Sequence, residues 1–113
     1  MPKNPRPPLR HPSLDDVSLV TVLHALADPT RLTIVRTLLN AGEGRPCGTF
    51  PVDIAPSTLS HHFRVLREAG IIHQSQRGTR RWTSLRSAEF DERFPGLLQA
   101  IMAQEPRSAG GHL

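Results

Sequence analysis

Apolar residues recur at helical spacing in three segments of the first seventy residues. The first of these predicted helices is capped by Ser13 and runs to about Ala27. Its apolar residues form two stripes, one with Leu19, Val22, Leu23 and Leu26 and the other with Val17, Val20 and Ala27. A helix with so little polar surface needs two packing partners. Either it is a central core helix, or its second stripe packs on another subunit.

Asp28 and Pro29 are the cap and first-turn residues of a second predicted helix, which ends near Gly42. The next stretch is rich in proline and glycine, so we predict only one or two helical turns, between Cys47 and Val52. A third helix is predicted from Pro56 to the terminating Gly70.

The third helix is amphipathic when its residues are placed at 100° intervals. The side that faces the core holds Leu59, Phe63, Leu66 and Ala69. The opposite side holds Ser57, Ser60, His61, Arg64 and Glu68. Short or planar polar groups with an arginine suit a helix that reads base edges in the major groove of DNA. The alternative is an ordinary solvated helix face.

Two extended segments, IIHQSQ and RWTSLR, follow the third helix and are separated by RGTR. Gly78 supplies the backbone freedom of a tight turn, which predicts a β-hairpin. The arginines of the hairpin, Arg77, Arg80 and Arg81, are suited to a DNA backbone or a narrow groove; alternatively they form a solubilising turn. Ser87 is then expected to cap a last helix, which Pro95 breaks or kinks.

Three helices followed by a hairpin of this kind are the order of elements in a winged helix. The predicted fold is therefore mainly α with a small β-hairpin, a winged helix-turn-helix. Charge supports a polyanionic partner, because 14 lysines and arginines outweigh 10 acidic residues and all but one of those bases are arginines. Between Ser57 and Arg86 six arginines face a single acid, Glu68.

The segments LADPTRLTIVRTLL, STLSHHFRVLREAGII and RGTRRWTSLR resemble the ArsR/SmtB-type family of winged helix-turn-helix repressors over nearly all of the predicted domain. The resemblance implies a homodimer that binds a near-palindromic operator on double-stranded DNA. It implies base contacts from Ser57, Thr58, Ser60 and His61, with Arg64 nearer the backbone. His62 falls at the edge of the core, where it is either a structural histidine or a phosphate contact.

Members of this family form dimers through their first and last helices. For this chain the resemblance and the apolar stripes together predict an interface of Val17, Val20, Phe94, Leu97, Leu98 and Ile101. The paired cysteines, or aspartate and histidine pairs, that hold metals in some members are missing from the corresponding segments, so no metal or other cofactor is predicted. The single cysteine, Cys47, is a candidate redox or metal sensor; a metal would need help from His24, His61 or another subunit. The alternative is a half-buried residue with no sensory task.

Further expectations concern the whole chain. Residues 1–12 are predicted to be a disordered basic, proline-rich arm, 13–103 the folded domain and 104–113 a disordered tail. Without an apolar run long enough to cross a membrane or to form a signal peptide, a cytoplasmic location is expected. An enzyme is not predicted: Cys47, His61 and Asp53 are the only nearby trio from which a catalytic set could be assembled, a glycine-rich phosphate loop is missing, and a hydrolase has no use for the polar face of the third helix. A winged helix that binds RNA or a protein is the alternative function.

Overall fold

The computed structural model of the protein describes residues 9–104. Five α-helices and a three-stranded antiparallel sheet follow the order predicted for a winged helix. The helices are α1 (Leu19–Leu26), α2 (Pro29–Ala41), α3 (Pro56–Glu68), α4 (Ser87–Arg93) and α5 (Leu97–Met102), and the strands are β1 (Arg45–Pro46), β2 (Ile72–Arg77) and β3 (Arg80–Leu85). Short 3-10 turns cover Leu14–Asp16 and Cys47–Thr49.

The first predicted helix is in fact two pieces, so its expected extent from Ser13 to Ala27 was wrong. Ser13 caps only the 3-10 turn, where its hydroxyl accepts a hydrogen bond from the Asp15 N–H at 3.3 Å. Val17 is then extended and buried. Ser18 caps α1 itself and accepts from the Thr21 N–H at 3.1 Å. Two serines compete to start a helix, and burial of Val17 separates them.

The predicted α2 and α3 are confirmed. The Asp28 carboxylate caps α2 by accepting from the Arg31 N–H at 3.0 Å, and Pro29 follows at the first helical position. Pro56 occupies the first turn of α3, where a missing N–H costs nothing. Both helices therefore begin where local chemistry places them.

The sheet has the order β1, β3, β2. The predicted hairpin is confirmed, with a register from Ile72 opposite Leu85 to Arg77 opposite Arg80. The third strand was not predicted, because β1 has only two residues and is held by pairing with β3. Its Pro46 is tolerated because β1 lies at the edge of the sheet.

The last helix is broken between α4 and α5, as Pro95 predicted. Ser87 was expected to be its cap, but the structure makes Ser87 the first helical residue. Arg86 takes the cap position without a capping side-chain hydrogen bond. The Arg86 guanidinium instead pairs with Glu89, at 3.0 Å between Nη2 and Oε2.

Three contacts join the described end of the predicted arm to the folded domain. The Gln74 N–H donates to Nε2 of His11 at 3.0 Å, and the rings of His11 and His73 stack at 4.3 Å. Arg86 donates to the Pro12 carbonyl at 2.8 Å. Residues 1–8 of the arm, and nearly all of the predicted tail, lie outside the described residues.

One hydrophobic core joins the helices to the sheet. The fully buried side chains at its centre include Val22, Ile34, Val35, Leu38, Leu66, Ile71, Ile72 and Phe90. Gly70 joins α3 to the hairpin with φ of +75° and lies against Leu14 and Val17, so the fold needs glycine there for both conformation and space. This junction sets how α3 and the hairpin lie relative to each other.

Candidate nucleic-acid interface

One face of α3 is a continuous polar surface. Its exposed residues are Ser57, Thr58, Ser60, His61, Arg64 and Glu68. The opposite face is anchored in the core by Phe63 and Leu66, and the Phe63 ring meets Phe50 edge-on at 5.3 Å. The division between the two faces follows the predicted one closely; Leu59 differs slightly, because it is half-buried at the edge of the core.

His62 lies at the border between these faces and has only 12 % of its side chain exposed. Its Nδ1 is 3.0 Å from Nη1 of Arg31, a buried arginine on α2. The same guanidinium donates from Nε to the Ala25 carbonyl at 2.6 Å, near the carboxyl end of α1. Arg31 therefore connects α1, α2 and α3, a role that the sequence did not reveal because His62 lies 31 positions from Arg31.

Asp28 is the acidic member of this group. Its Oδ2 lies 3.8 Å from His62 Nδ1, too far for a hydrogen bond. Burial by itself would raise the pKa of Asp28. The hydrogen bond from the Arg31 N–H and the positive charge of the Arg31 guanidinium both lower it, so the pKa lies below its usual value and the cap remains charged.

Arg67 ties the last turn of α3 to the sheet. Its Nη1 donates to Oε1 of the buried Gln74 on β2 at 2.6 Å. The Gln74 amide nitrogen donates in turn to Thr83 Oγ1 on β3 at 3.0 Å. The sequence carries a weak signal for this cluster: in the hairpin register Gln74 faces Thr83, so two polar residues occupy inward positions of the strands.

Cys47 belongs to the same polar cluster. Its Sγ lies 3.1 Å from Thr83 Oγ1 and 3.3 Å from the Gln74 amide nitrogen, and its side chain is half-buried. Within residues 9–104 no three histidine, cysteine, aspartate or glutamate side chains come together in a group that could hold a metal ion. A sensory role for Cys47 remains a hypothesis.

The hairpin presents its arginines in different ways. Arg77 is exposed and stacks on the Trp82 ring, with its Cζ 4.3 Å from the ring centroid. Arg80 is exposed, whereas Arg81 is half-buried. A shallow cavity of about 190 Å³ lies between the hairpin and the 3-10 turn at Cys47–Thr49, and Arg80 and Arg81 line it.

Positive charge is concentrated where α3 meets the hairpin. Burial is the main cause that lowers the pKa of Arg67; the Glu68 carboxylate opposes it, and the nearby guanidinium groups of Arg81 and Arg64 lower the pKa further. Mutual repulsion of this kind is relieved when a polyanion approaches. The charged surface and the polar face of α3 therefore suit the same partner.

Comparison with known proteins identifies the family of this chain. The model of a helix-turn-helix domain matches residues 26–75, from the end of α1 into β2. The HTH-type transcriptional regulator YceK of Bacillus subtilis is 35 % identical over 89 residues, which cover 77 % of this chain and 89 % of that protein. The chain belongs to the helix-turn-helix transcriptional regulators. The regulator MJ1325 of Methanocaldococcus jannaschii is 36 % identical over 59 residues, 51 % of this chain and 66 % of that protein.

Solved structures of ArsR-type regulators share the fold of this regulator. A crystal structure of an ArsR family transcriptional regulator superimposes with a TM-score of 0.58 at 23 % identity and covers 78 % of this chain and 93 % of that one. An ArsR-like regulator from Rhodococcus sp. RHA1 has the same TM-score at 19 % identity, with 74 % and 78 % covered. The predicted ArsR-like winged helix-turn-helix fold is confirmed.

The family also gives the general activity of this regulator. It is a DNA-binding transcriptional regulator rather than an enzyme, which confirms the prediction from the sequence that the protein is not an enzyme. No helix among residues 9–104 is long and apolar enough to cross a membrane.

The residues expected at a dimer interface fall into three groups by burial. Val17, Phe94 and Leu98 are buried in the core of their own chain, with 4 %, 8 % and 3 % exposed. Leu97 and Ile101 are half-buried against that core, and only Val20 is largely exposed, at 75 %. The exposed apolar surface of α1 also contains Leu19 and Leu23, at 47 % and 45 %, which the sequence pattern had placed on the other stripe.

Proposed function

We propose that this regulator is a repressor that binds a near-palindromic operator as a homodimer. The proposal is carried by one observation: the exposed polar face of α3 and the arginines of the hairpin follow one another in the chain and are joined through Arg67 and Gln74. Such a unit inserts a helix in the major groove while the hairpin contacts the adjacent backbone or minor groove. A cytoplasmic location, where the operator is, is part of the proposal.

Within this proposal the side chains of α3 divide the work. Ser57, Thr58, Ser60 and His61 lie in the first two turns and contact base edges, whereas the longer Arg64 contacts guanine or the phosphate beside it. Arg77, Arg80 and Arg81 contribute contacts to phosphates or to the minor groove, which position the protein and supply most of the salt-dependent affinity.

Homodimerisation is supported by the surface of α1. Leu19, Val20 and Leu23 lie within 100° of each other on the helix and are all exposed in the single chain. A cluster of large exposed apolar side chains on an eight-residue helix is typical of a surface that another protein covers. A two-fold dimer through α1, with Leu97 and Ile101 of α5 at its margin, presents two α3 helices to the two halves of a palindrome.

The first test is selection of bound sequences from a pool of random duplexes. We expect an inverted repeat with half-site centres about one helical turn apart, roughly 34–36 Å. Unrelated sequences without two-fold symmetry would contradict the homodimeric operator complex. A parallel selection from a pool of random single-stranded RNA measures binding to the alternative partner. Preference for RNA over duplex DNA would refute the proposal.

The second test uses fluorescence anisotropy with the selected duplex and a shuffled one. Arg64→Ala and His61→Ala should each reduce the ratio of the two affinities about 5- to 150-fold, the value of a lost base contact of roughly 1–3 kcal/mol. Arg36→Ala is the matched control, because this arginine lies on α2 and points to the Gln104 carbonyl, 3.4 Å away. An equal loss on both duplexes would leave these residues with backbone contacts only.

Repression itself is tested with a reporter behind the promoter that carries the selected sequence. We expect expression to fall when the wild-type regulator is supplied and to recover with Arg64→Ala. A rise with the wild-type protein would make it an activator.

A further inference from the structure

Arg31 is a buried cation, and each of its three guanidinium nitrogens has a partner. Only 8 % of its surface is exposed. Its Nε and Nη2 donate to the carbonyls of Ala25 and His24, at 2.6 and 3.4 Å, and Nη1 lies 3.0 Å from Nδ1 of His62. The two carbonyls are at the carboxyl end of α1, where the helix dipole favours a positive charge. The guanidinium is therefore held in place independently of His62.

This geometry determines which nitrogen of His62 carries the proton. A guanidinium has donors and no acceptor, so Nδ1 of His62 must accept the hydrogen bond from Arg31. In a neutral imidazole the proton then lies on Nε2. Among residues 9–104 Asp28 is the only carboxylate within 4 Å of Nδ1, and at 3.8 Å it is too distant to compete with the 3.0 Å contact.

Nε2 of His62 has no hydrogen-bond partner among residues 9–104, and it is not among the fully buried polar atoms there. His62 lies about 120° around α3 from the centre of the exposed polar face. With α3 in the major groove, as proposed above, a donor at that flank lies nearer to the DNA backbone than to the base edges.

We propose that Arg31 is a positioning residue that fixes His62 in its Nε2–H tautomer, so that His62 donates a hydrogen bond to a DNA phosphate. The sequence left two alternatives for His62, a structural histidine and a phosphate contact. Under this proposal His62 is both, because Nδ1 makes the structural contact to Arg31 and Nε2 makes the contact to the phosphate. This inference rests on the proposed binding of DNA by α3.

The tautomer is tested directly by long-range 15N–1H correlation NMR of the full chain labelled at histidine. The resonances of His62 are assigned by their disappearance in His62→Asn. We expect Nδ1 to have the shift of an unprotonated nitrogen and Nε2 that of a protonated one. In Arg31→Lys, which keeps the charge but loses the planar fork, the two tautomers should mix. A protonated Nδ1 in the neutral ring of the wild type would overturn the proposal without any use of DNA.

The phosphate contact is tested by two substitutions that each keep one half of the ring. Asparagine places a carbonyl oxygen near the position of Nδ1, so His62→Asn keeps the acceptor for Arg31 and loses the outward donor. Glutamine reaches the position of Nε2, so His62→Gln keeps an outward N–H and leaves Arg31 without its acceptor. We expect His62→Asn to weaken binding about tenfold on the selected and the shuffled duplex alike, the value of one charge-assisted hydrogen bond.

His62→Gln should bind DNA more tightly than His62→Asn, but its melting temperature should be the lower of the two, because a buried donor has lost its partner. Arg36→Ala, whose guanidinium on α2 points to the Gln104 carbonyl, again serves as the control, with unchanged affinity. If the wild type binds DNA and His62→Asn binds equally well, the phosphate contact is refuted. Failure of the wild type to bind any duplex would instead refute the proposed function.

Discussion

Gly70 is the position where a single methyl group is expected to do most damage to the relation between α3 and the hairpin. Its φ of +75° lies in the left-handed region, which costs an alanine roughly 1–2 kcal/mol. An added Cβ would also collide with Cδ2 of Leu14 and lie 3.4 Å from Cγ2 of Val17. Overpacking of a core by one methyl group typically costs about 1–3 kcal/mol. Gly70→Ala should therefore lower the free energy of unfolding by about 2–5 kcal/mol.

Gly78 provides the matched control within the same chain. Its φ is +61°, but nothing lies within 4 Å of the position that a Cβ would occupy. Gly78→Ala should cost only the conformational part, about 1–2 kcal/mol. The two variants have similar effects on the unfolded chain, so their difference isolates the collision with Leu14 and should be about 1–3 kcal/mol.

Urea unfolding followed by circular dichroism measures both values, at one protein concentration because dimerisation would add to stability. In melting temperature, 1 kcal/mol corresponds to roughly 4–8 °C for a domain of this size. Equal destabilisation by the two substitutions would mean that Leu14 moves aside freely. It would refute the conclusion that close packing of Gly70 on the 3-10 turn fixes the junction.

Three other results are expected. Val20→Asp should give monomers in sedimentation velocity, because this side chain is 75 % exposed on the apolar face of α1. Thr21→Asp, on a different side of the helix, should leave the dimer intact. A dimer that persists in Val20→Asp would locate the interface elsewhere. Arg80→Ala should reduce the slope of log affinity against log salt by about one, and an unchanged slope would remove the hairpin from the interface. The pKa of His11 is lowered, first by burial and then by His73 and neighbouring arginines. Because the unfolded chain then binds a proton more readily than the folded one, the stability of the protein should fall as the pH drops below 6.5. His11→Gln should flatten the dependence of the melting temperature on pH between pH 7 and pH 5. Equal slopes for the wild type and the variant would contradict this prediction.

Local chemistry was sufficient to predict most of the elements of this protein. Asp28 and Pro29 start α2, Pro56 starts α3, and Gly78 turns the hairpin, because each residue fixes the backbone or satisfies a helix terminus within a few positions. The two faces of α3 follow from helical periodicity, because this helix packs on the core along one side only and its other side is exposed.

The sequence was less informative where two local signals competed. Ser13 and Ser18 are both good caps, and the burial of Val17 between them decided that α1 begins at the second. The grouping of the apolar residues of α1 into two stripes was wrong for a related reason. The helix has only eight residues, and the neighbouring elements of the fold decide which of its sides is buried. Val22, Ala25 and Leu26 became core, and Leu19, Val20 and Leu23 were left exposed.

The sequence by itself therefore determined the winged helix, the polar face of α3 and the positive charge of the hairpin. Only the tertiary structure placed Arg31 against His62, which are 31 positions apart, and joined Arg67 to Gln74 and Cys47 to Thr83. The physical reason is that caps, turns and periodicity act over a few residues, whereas a buried polar side chain finds its partners only when the core brings distant segments together.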